Sequence, residues 1–397
     1  MASDSPKASY IALLAMLMAI GALGTDIMLP ALDQIGMELG VGAANDVHYL
    51  VTAFFLGMAG GQLLVGPLSD SFGRKPVIYA GYVIFVVGCI ISMTTQSWTA
   101  MLAARVLQGI GAAAPRIVTV ALVRDRFEGR AMARIMSFVM AAFIVVPIIA
   151  PALGEALILV GGWRAVFGGL AVLAMAVSVW FAVGQDETLA PENRRRFEIR
   201  GIFLGVVEIV RNRIAFGYTV AAGLMYGVFV GYLGSAQQIF EITFEVGTLF
   251  AAYFAFASLS LGLSSLLNAA LVMRFGMERL TMIALVLLTV ASAVFWIFLG
   301  ASGGSVGLPL FLVWQLSAFF CVGVVFGNLN ALALQDLGHM AGLGAAFVGA
   351  IATFISLPLA SAIGARFDGT VVPLVAGFTI LGLASCLTVA WTERGKM

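Results

Sequence analysis

Twelve apolar runs, each about 20 residues or longer, recur along the chain with short polar turns between them. They span 10–32, 47–69, 76–95, 98–123, 133–160, 163–184, 214–236, 246–272, 279–300, 307–335, 341–365 and 371–392. At 1.5 Å per helical residue each crosses a hydrocarbon layer of about 30 Å. Apolar residues make up 61% of the chain and charged ones 10%, and no soluble core hides that much apolar surface. The expected fold is an all-α membrane protein of twelve transmembrane helices. The first run has span length and carries Asp26 behind a short leader, so it reads as a retained span and not a cleaved signal.

The charges say which way the spans run. If the N-terminus is cytoplasmic, the inner loops collect Lys7, Arg74, Lys75, Arg124, Arg126, Arg130, Arg134, Arg274, Arg279, Arg394 and Lys396. They also collect Arg194, Arg195, Arg196, Arg200, Arg211 and Arg213 of the long polar interval 186–213. The outer loops keep only Arg164 and Arg366. This separation puts both termini in the cytoplasm. Within the interval, 199–210 predicts a short amphipathic helix on the membrane surface. The domain reading is therefore 1–184 as one six-helix bundle, 185–213 as a cytoplasmic linker and 214–397 as a second bundle. A net charge of +1 suggests no nucleic-acid partner. Cys89, Cys321 and Cys386 lie in apolar runs without metal-site spacing, and His48 and His339 are far apart. No metal, cofactor or enzymatic nucleophile–base set is expected.

Gly66-Pro67-Leu68-Ser69-Asp70-Ser71-Phe72-Gly73-Arg74-Lys75-Pro76 is a charged, glycine-bearing turn between two spans. It marks a membrane surface, and Pro76 suits a first helical turn. It is either a topology-fixing turn or a conformational latch. The spelling, with Ser71 at a usually basic position, resembles the loop signature of the major facilitator superfamily, the twelve-helix secondary transporters. The resemblance implies that Gly66, Asp70, Gly73, Arg74 and Lys75 form a latch, with Asp70 pairing a nearby arginine and the N-terminus of the eleventh span. Residues 63–73 line up with 266–276, sharing Leu, Leu, Leu, Phe and Gly in register, with Met273 facing Asp70. This is the trace of a repeat at half-chain distance, as two pseudo-symmetric bundles require.

An ionisable group at membrane depth costs ~2.5–3.5 kcal/mol on insertion scales and needs a partner or a wet cavity. Asp26 is one, either a titrating group or a permanently paired structural acid. Arg105 and Arg116 share a helix face, because eleven residues rotate a helix about 20° past three turns. Gln108 sits one turn from Arg105. Asp26 and Arg105 lie at similar depth and are expected to be able to meet. Arg116 either lines a cavity or snorkels toward the cytoplasm. Arg105-Val106-Leu107-Gln108-Gly109 resembles the fourth-helix signature of proton-coupled facilitators, which implies a role for Arg105 in proton transfer.

Pro147-Ile148-Ile149-Ala150-Pro151-Ala152-Leu153-Gly154-Glu155 would bend or loosen its helix. It resembles the exporter signature of the Bcr/CflA group of drug:proton antiporters, with Glu155 a departure that reads as a gate charge or a solvated rim residue. Thr25–Leu32, Ala121–Asp125 with Arg124, Gly162-Trp163-Arg164, Gly327–Ala333 and 337–342 fit the same group. The second half offers an aromatic and amide wall, with Tyr232, Gln237, Gln238 and Asn330 as candidate contacts; packing aromatics are the competing reading. The resemblance implies proton-coupled efflux of small amphiphilic molecules by alternating access, from the bacterial inner membrane, by a chain working as a monomer. The alternative is a dedicated exporter of one metabolite.

Overall fold

The computed structural model describes residues 8–127, 129–194, 196–337 and 341–394. Lys7, Arg195, His339 and Lys396, which entered the charge and motif readings, lie outside them. Among the described residues the regular structure is entirely helical: α1 (Ala8–Asp26), α2 (Leu32–Glu38), α3 (Tyr49–Phe72), α4 (Arg74–Thr94), α5 (Trp98–Arg126), α6 (Gly129–Gly184), α7 (Ile199–Arg211), α8 (Arg213–Gln238), α9 (Phe250–Phe275), α10 (Met277–Ala301), α11 (Leu308–Leu334), α12 (Ala341–Gly364) and α13 (Val372–Thr392). Helix is the form that satisfies every backbone group internally in hydrocarbon.

Eleven helical stretches among the described residues are long and apolar enough to cross a membrane. One of them, Val145–Gly184, has 40 residues, about twice what a crossing needs. It belongs to α6, whose helical geometry breaks at Gly161 (φ −156°, ψ 27°) and Gly162 (φ 68°, ψ −173°). That break falls where the sequence parts the fifth run from the sixth. The first run differs from its expected form. Instead of one helix over 10–32, α1 stops at Asp26 and a 3-10 turn, Leu29–Ala31, leads into α2. Pro30 is the cause: it has no N–H to give to the carbonyl of Asp26, and its ring crowds the preceding turn.

By internal contacts the chain divides into two compact units, Met1–Ala31 with Ala53–Ile202, and Leu32–Thr52 with Phe203–Met397. In the first, α3 and α5 touch backbone to backbone: a Cβ on Gly57 would overlap the Val106 carbonyl oxygen, and one on Gly109 that of Phe54. The glycines of the fourth run are thus packing residues that let helices approach closely. In the second unit Asn212 caps α8, its Oδ1 accepting from the N–H groups of Ile214 and Ala215, both at 3.0 Å. The 32–52 segment is fastened within this unit. Asn45 donates to the carbonyls of Ala365 and Phe367 at 3.2 and 2.7 Å. Buried His48 sits between the Asn45 carbonyl (2.6 Å) and the Ser361 hydroxyl (3.1 Å).

The α3–α4 turn forms a charge cluster. Arg74, 2% exposed, bonds Asp70 at 2.5 Å and Asp125 at 2.9 Å. Its Nη1 also donates to the Ser69 hydroxyl at 2.8 Å. Arg124 is exposed, and it is its neighbour Asp125 that meets Arg74. The Lys75 ammonium donates to the Gln185 carbonyl at 2.5 Å. Gly73 holds φ 103°, ψ 162° before α4, and Gly276 holds φ 80°, ψ 157° before α10. These two glycines are the aligned pair of the sequence repeat. Both use the left-handed region that a side chain would strain. Met273, at the Asp70 position of the second copy, is 88% exposed.

Glu187 completes the cluster. Its carboxylate accepts from the first two backbone N–H groups of α4, Arg74 and Lys75, both at 3.0 Å. It also accepts from those of Thr188 (2.9 Å) and Leu189 (3.0 Å). Burial alone would raise its pKa, but the four N–H donors outweigh it and hold the group below its ordinary 4.5. A folded pKa depressed in this way gives stability that is present above the ordinary value and lost as pH falls through the folded one. The protection factors of the Arg74 and Lys75 amides, taken against the intrinsic exchange rate at each pH, should therefore fall as pH drops below about 4.5 in the native protein. In Glu187→Gln those protection factors should be lower at neutral pH and no longer fall with acid, at a cost of about 1 kcal/mol to the α4 start. Unchanged exchange in the variant would show that the carboxylate does not cap α4.

Candidate functional site

In the first unit the polar residues at membrane depth gather where α1, α4 and α5 meet. Arg105 is fully buried. Its Nη1 donates to the Gly24 carbonyl at 2.9 Å and to the Gln108 side-chain oxygen. Gln108 in turn donates to the Ser92 hydroxyl at 3.0 Å. The guanidinium carbon lies 4.6 Å from the Phe54 ring centre and 6.0 Å from that of Phe167, faces that attract a cation. A charge that guanidinium does not give up thus meets a backbone carbonyl, a side-chain amide and two rings among its surroundings. The Arg105–Gln108 pairing follows from their three-residue spacing; Ser92 and the Gly24 carbonyl carried no sequence signal.

Asp26, 5% exposed, is the last residue of α1. Among the described residues it has no hydrogen bond or ion pair, so the expected meeting with Arg105 is not made. Arg105 instead grips the backbone two residues earlier. A negative charge at Asp26 faces the negative end of the α1 dipole, where an anion is least welcome.

The proline-bearing signature of α6 packs against the chain that follows Asp26. A Cβ on Gly154 would overlap the carbonyl oxygen of Ile27, and it would stand 3.5 Å from Pro30. Gly154 therefore lets α6 close on the chain immediately after Asp26. Pro151 is buried, and Pro147 and Glu155 are half-buried. Arg116 is half-buried, with Nη1 3.6 Å from the Met58 sulfur.

In the second unit the expected wall is mostly packed. Tyr232, 1% exposed, stacks on Phe254 at 5.9 Å and meets Phe319 edge-on at 4.8 Å. Gln237 accepts from the Asp33 N–H at 3.3 Å and donates to Glu241 at 3.1 Å. Gln238 donates to the Ala44 carbonyl at 3.2 Å. In this conformation both glutamines bind the 32–52 segment. Asn330 is exposed and donates to the Phe326 carbonyl at 2.9 Å. Sequence reasoning missed the role of His48, because the partners that bury it lie about 300 residues away. No cluster of three His, Cys, Asp or Glu able to hold a metal occurs among the described residues.

Comparison with known proteins agrees with this helical arrangement. The family model described as "Major Facilitator Superfamily" matches residues 14–356. A bicyclomycin resistance protein homolog of Haemophilus influenzae is 26% identical over 387 residues, covering 96% of this chain and 94% of that protein. A chloramphenicol resistance protein of Pseudomonas aeruginosa is 34% identical over 176 residues, 44% of this chain and 42% of that one. Among solved structures, a D-xylose-proton symporter superposes with a TM-score of 0.79 at 13% identity over 96% of each chain, a likeness of fold alone. The protein is a multi-pass membrane transporter and not an enzyme; it belongs to the major facilitator superfamily, with a full-length likeness to its Bcr/CflA-type members.

Proposed function

We propose that this protein exports small amphiphilic molecules from the cytoplasm in exchange for protons, by alternating access between two pseudo-symmetric six-helix bundles, 1–184 and 214–397. The observation that carries the reading is the pairing of a buried, unpaired acid with a buried, fixed cation that does not neutralise it. Were Asp26 a structural acid, its place would be in an ion pair with Arg105. Held apart from the guanidinium, it is left with a proton as its counter-charge, and a proton can be exchanged. Arg105 binds the α1 backbone at Gly24, so a change in Asp26 at the end of α1 is felt by α5 and, through Gln108 and Ser92, by α4. Export rather than import follows the α6 signature, whose Gly154 seats that helix on Ile27.

In the cycle, Asp26 takes a proton from outside as substrate leaves, and releases it inside as substrate binds. Tyr232, Gln237, Gln238, Asn330 and Arg116 are the proposed substrate contacts. Asp70, Arg74 and the residues around them bias which conformation prevails. The site of action is the bacterial inner membrane, with both termini cytoplasmic, and the working unit is one chain.

The two membrane-depth arginines favour a second reading, a dedicated exporter of one carboxylate-bearing or zwitterionic metabolite. A competition panel separates the two: many unrelated drugs displacing one another support the first, one tight ligand the second.

Two predictions follow from this arrangement. In proteoliposomes with an imposed pH gradient, Asp26→Asn should abolish uphill export yet retain downhill exchange of substrate. Full proton-driven accumulation by that variant would remove Asp26 from the coupling. Gly154→Val should push α6 off Ile27 at a cost of ~1–3 kcal/mol, seen as a lower melting temperature together with slowed transport. Native stability and native rate in that variant would show that the close approach is not needed.

A further inference from the structure

Gln315 lies on α11 one turn from Phe311 and one turn from Phe319, and so on their face of the helix. Phe311 meets Phe240 at 6.0 Å, and Phe319 meets Tyr232 at 4.8 Å. The amide thus belongs between two layers of an aromatic cluster built from α8, α9, α11 and the turn after α8. It is 1% exposed. Among the described residues, neither its Nε2 nor its Oε1 has a hydrogen-bond partner.

A buried amide in that condition is costly, and a leucine or methionine would fill the position without the cost. The same unit shows what an amide does when it finds its complement. Asn268 donates to Asn328 at 2.9 Å and Asn328 donates back at 3.0 Å, edge to edge.

We propose that Gln315 is a specificity-determining residue that takes an amide of its own kind from the substrate. The ligand class is a primary carboxamide, lactam or cyclic imide, with N–H and C=O on one edge and a flat apolar body set against Tyr232, Phe254 and Phe319. The inference rests on the export reading above and names its substrate chemistry. The donor–acceptor edge matters because a tertiary amide or an ester keeps the carbonyl but has no N–H for Oε1. Either one leaves half of the glutamine unsatisfied, which is how buried polar groups discriminate. The ligand reaches the amide in a conformation that opens this face of α11.

The test uses the full-length protein in lipid nanodiscs and a matched pair of probes, 2-quinolone and N-methyl-2-quinolone, read by tryptophan quenching. The native protein should bind 2-quinolone at least about tenfold more tightly than its N-methyl derivative. In Gln315→Leu the ratio should fall to near one, with N-methyl-2-quinolone binding kept and the melting temperature not lowered. Gln315→Asn, which withdraws the amide by one methylene, should reduce the ratio in the same sense. Equal binding of the two probes by the native protein, or no binding of either, overturns the inference. So does a ratio unchanged in the variants, or a loss of both probes with a lowered melting temperature in both variants, since the amide is then a packing group. Proton-driven efflux of 2-quinolone from proteoliposomes containing the native protein is measured in parallel. Its absence beside an intact probe ratio would remove the export reading and leave the amide site standing.

Discussion

A guanidinium cannot shed its charge in hydrocarbon, and the first unit is built around that fact. Arg105 takes a carbonyl from α1, an amide from its own helix and the faces of two phenylalanines, and Gln108 passes the connection to Ser92 on α4. Removing one of these partners from a buried charge is costly. The three helices are thereby tied at one depth. Close packing finishes the arrangement, since Gly57 and Gly109 let α3 reach α5 at backbone distance. A single fixed charge therefore places the helix ends that carry the other polar residues.

The acid at the end of α1 takes its character from what the cation does not do. Pro30 stops the helix at Asp26, and Gly154 seats α6 on the residue that follows. Arg105 donates to the backbone two residues short of the carboxylate. At the α3–α4 turn the opposite holds: Arg74 is matched by Asp70 and Asp125, and the helix start is matched by Glu187. The carboxylate at the end of α1 has no charge partner among the described residues, whereas the cation at the turn has two.

Much of this was legible in the sequence, because the controlling signals are local. Span length, the 73–76 turn and the helical spacing of Arg105 and Gln108 all follow from short stretches of sequence. What escaped depends on contacts distant along the chain. Glu187 carried no signal of its own in the sequence, yet it caps a helix more than a hundred residues earlier. Asp26 and Arg105 have matching depth, but depth alone does not reveal that Arg105 prefers the Gly24 carbonyl. Gln237 and Gln238 read as wall residues, and their partners on 32–52 become visible only in three dimensions. Pro30 was in plain sight, and its effect on the first run was underweighted against a continuous apolar stretch.

The segment 32–52 belongs by sequence to the first half of the chain and by packing to the second unit. Asn45 and His48 fasten it to Ser361, Ala365 and Phe367. A gene fusion that joins the first half of this protein to the second half of a relative at the polar interval would inherit mismatched chemistry at that fastening. Shuffling of halves between relatives is then constrained by some twenty residues near one end, and a workable hybrid must carry them along with the portion that they grip.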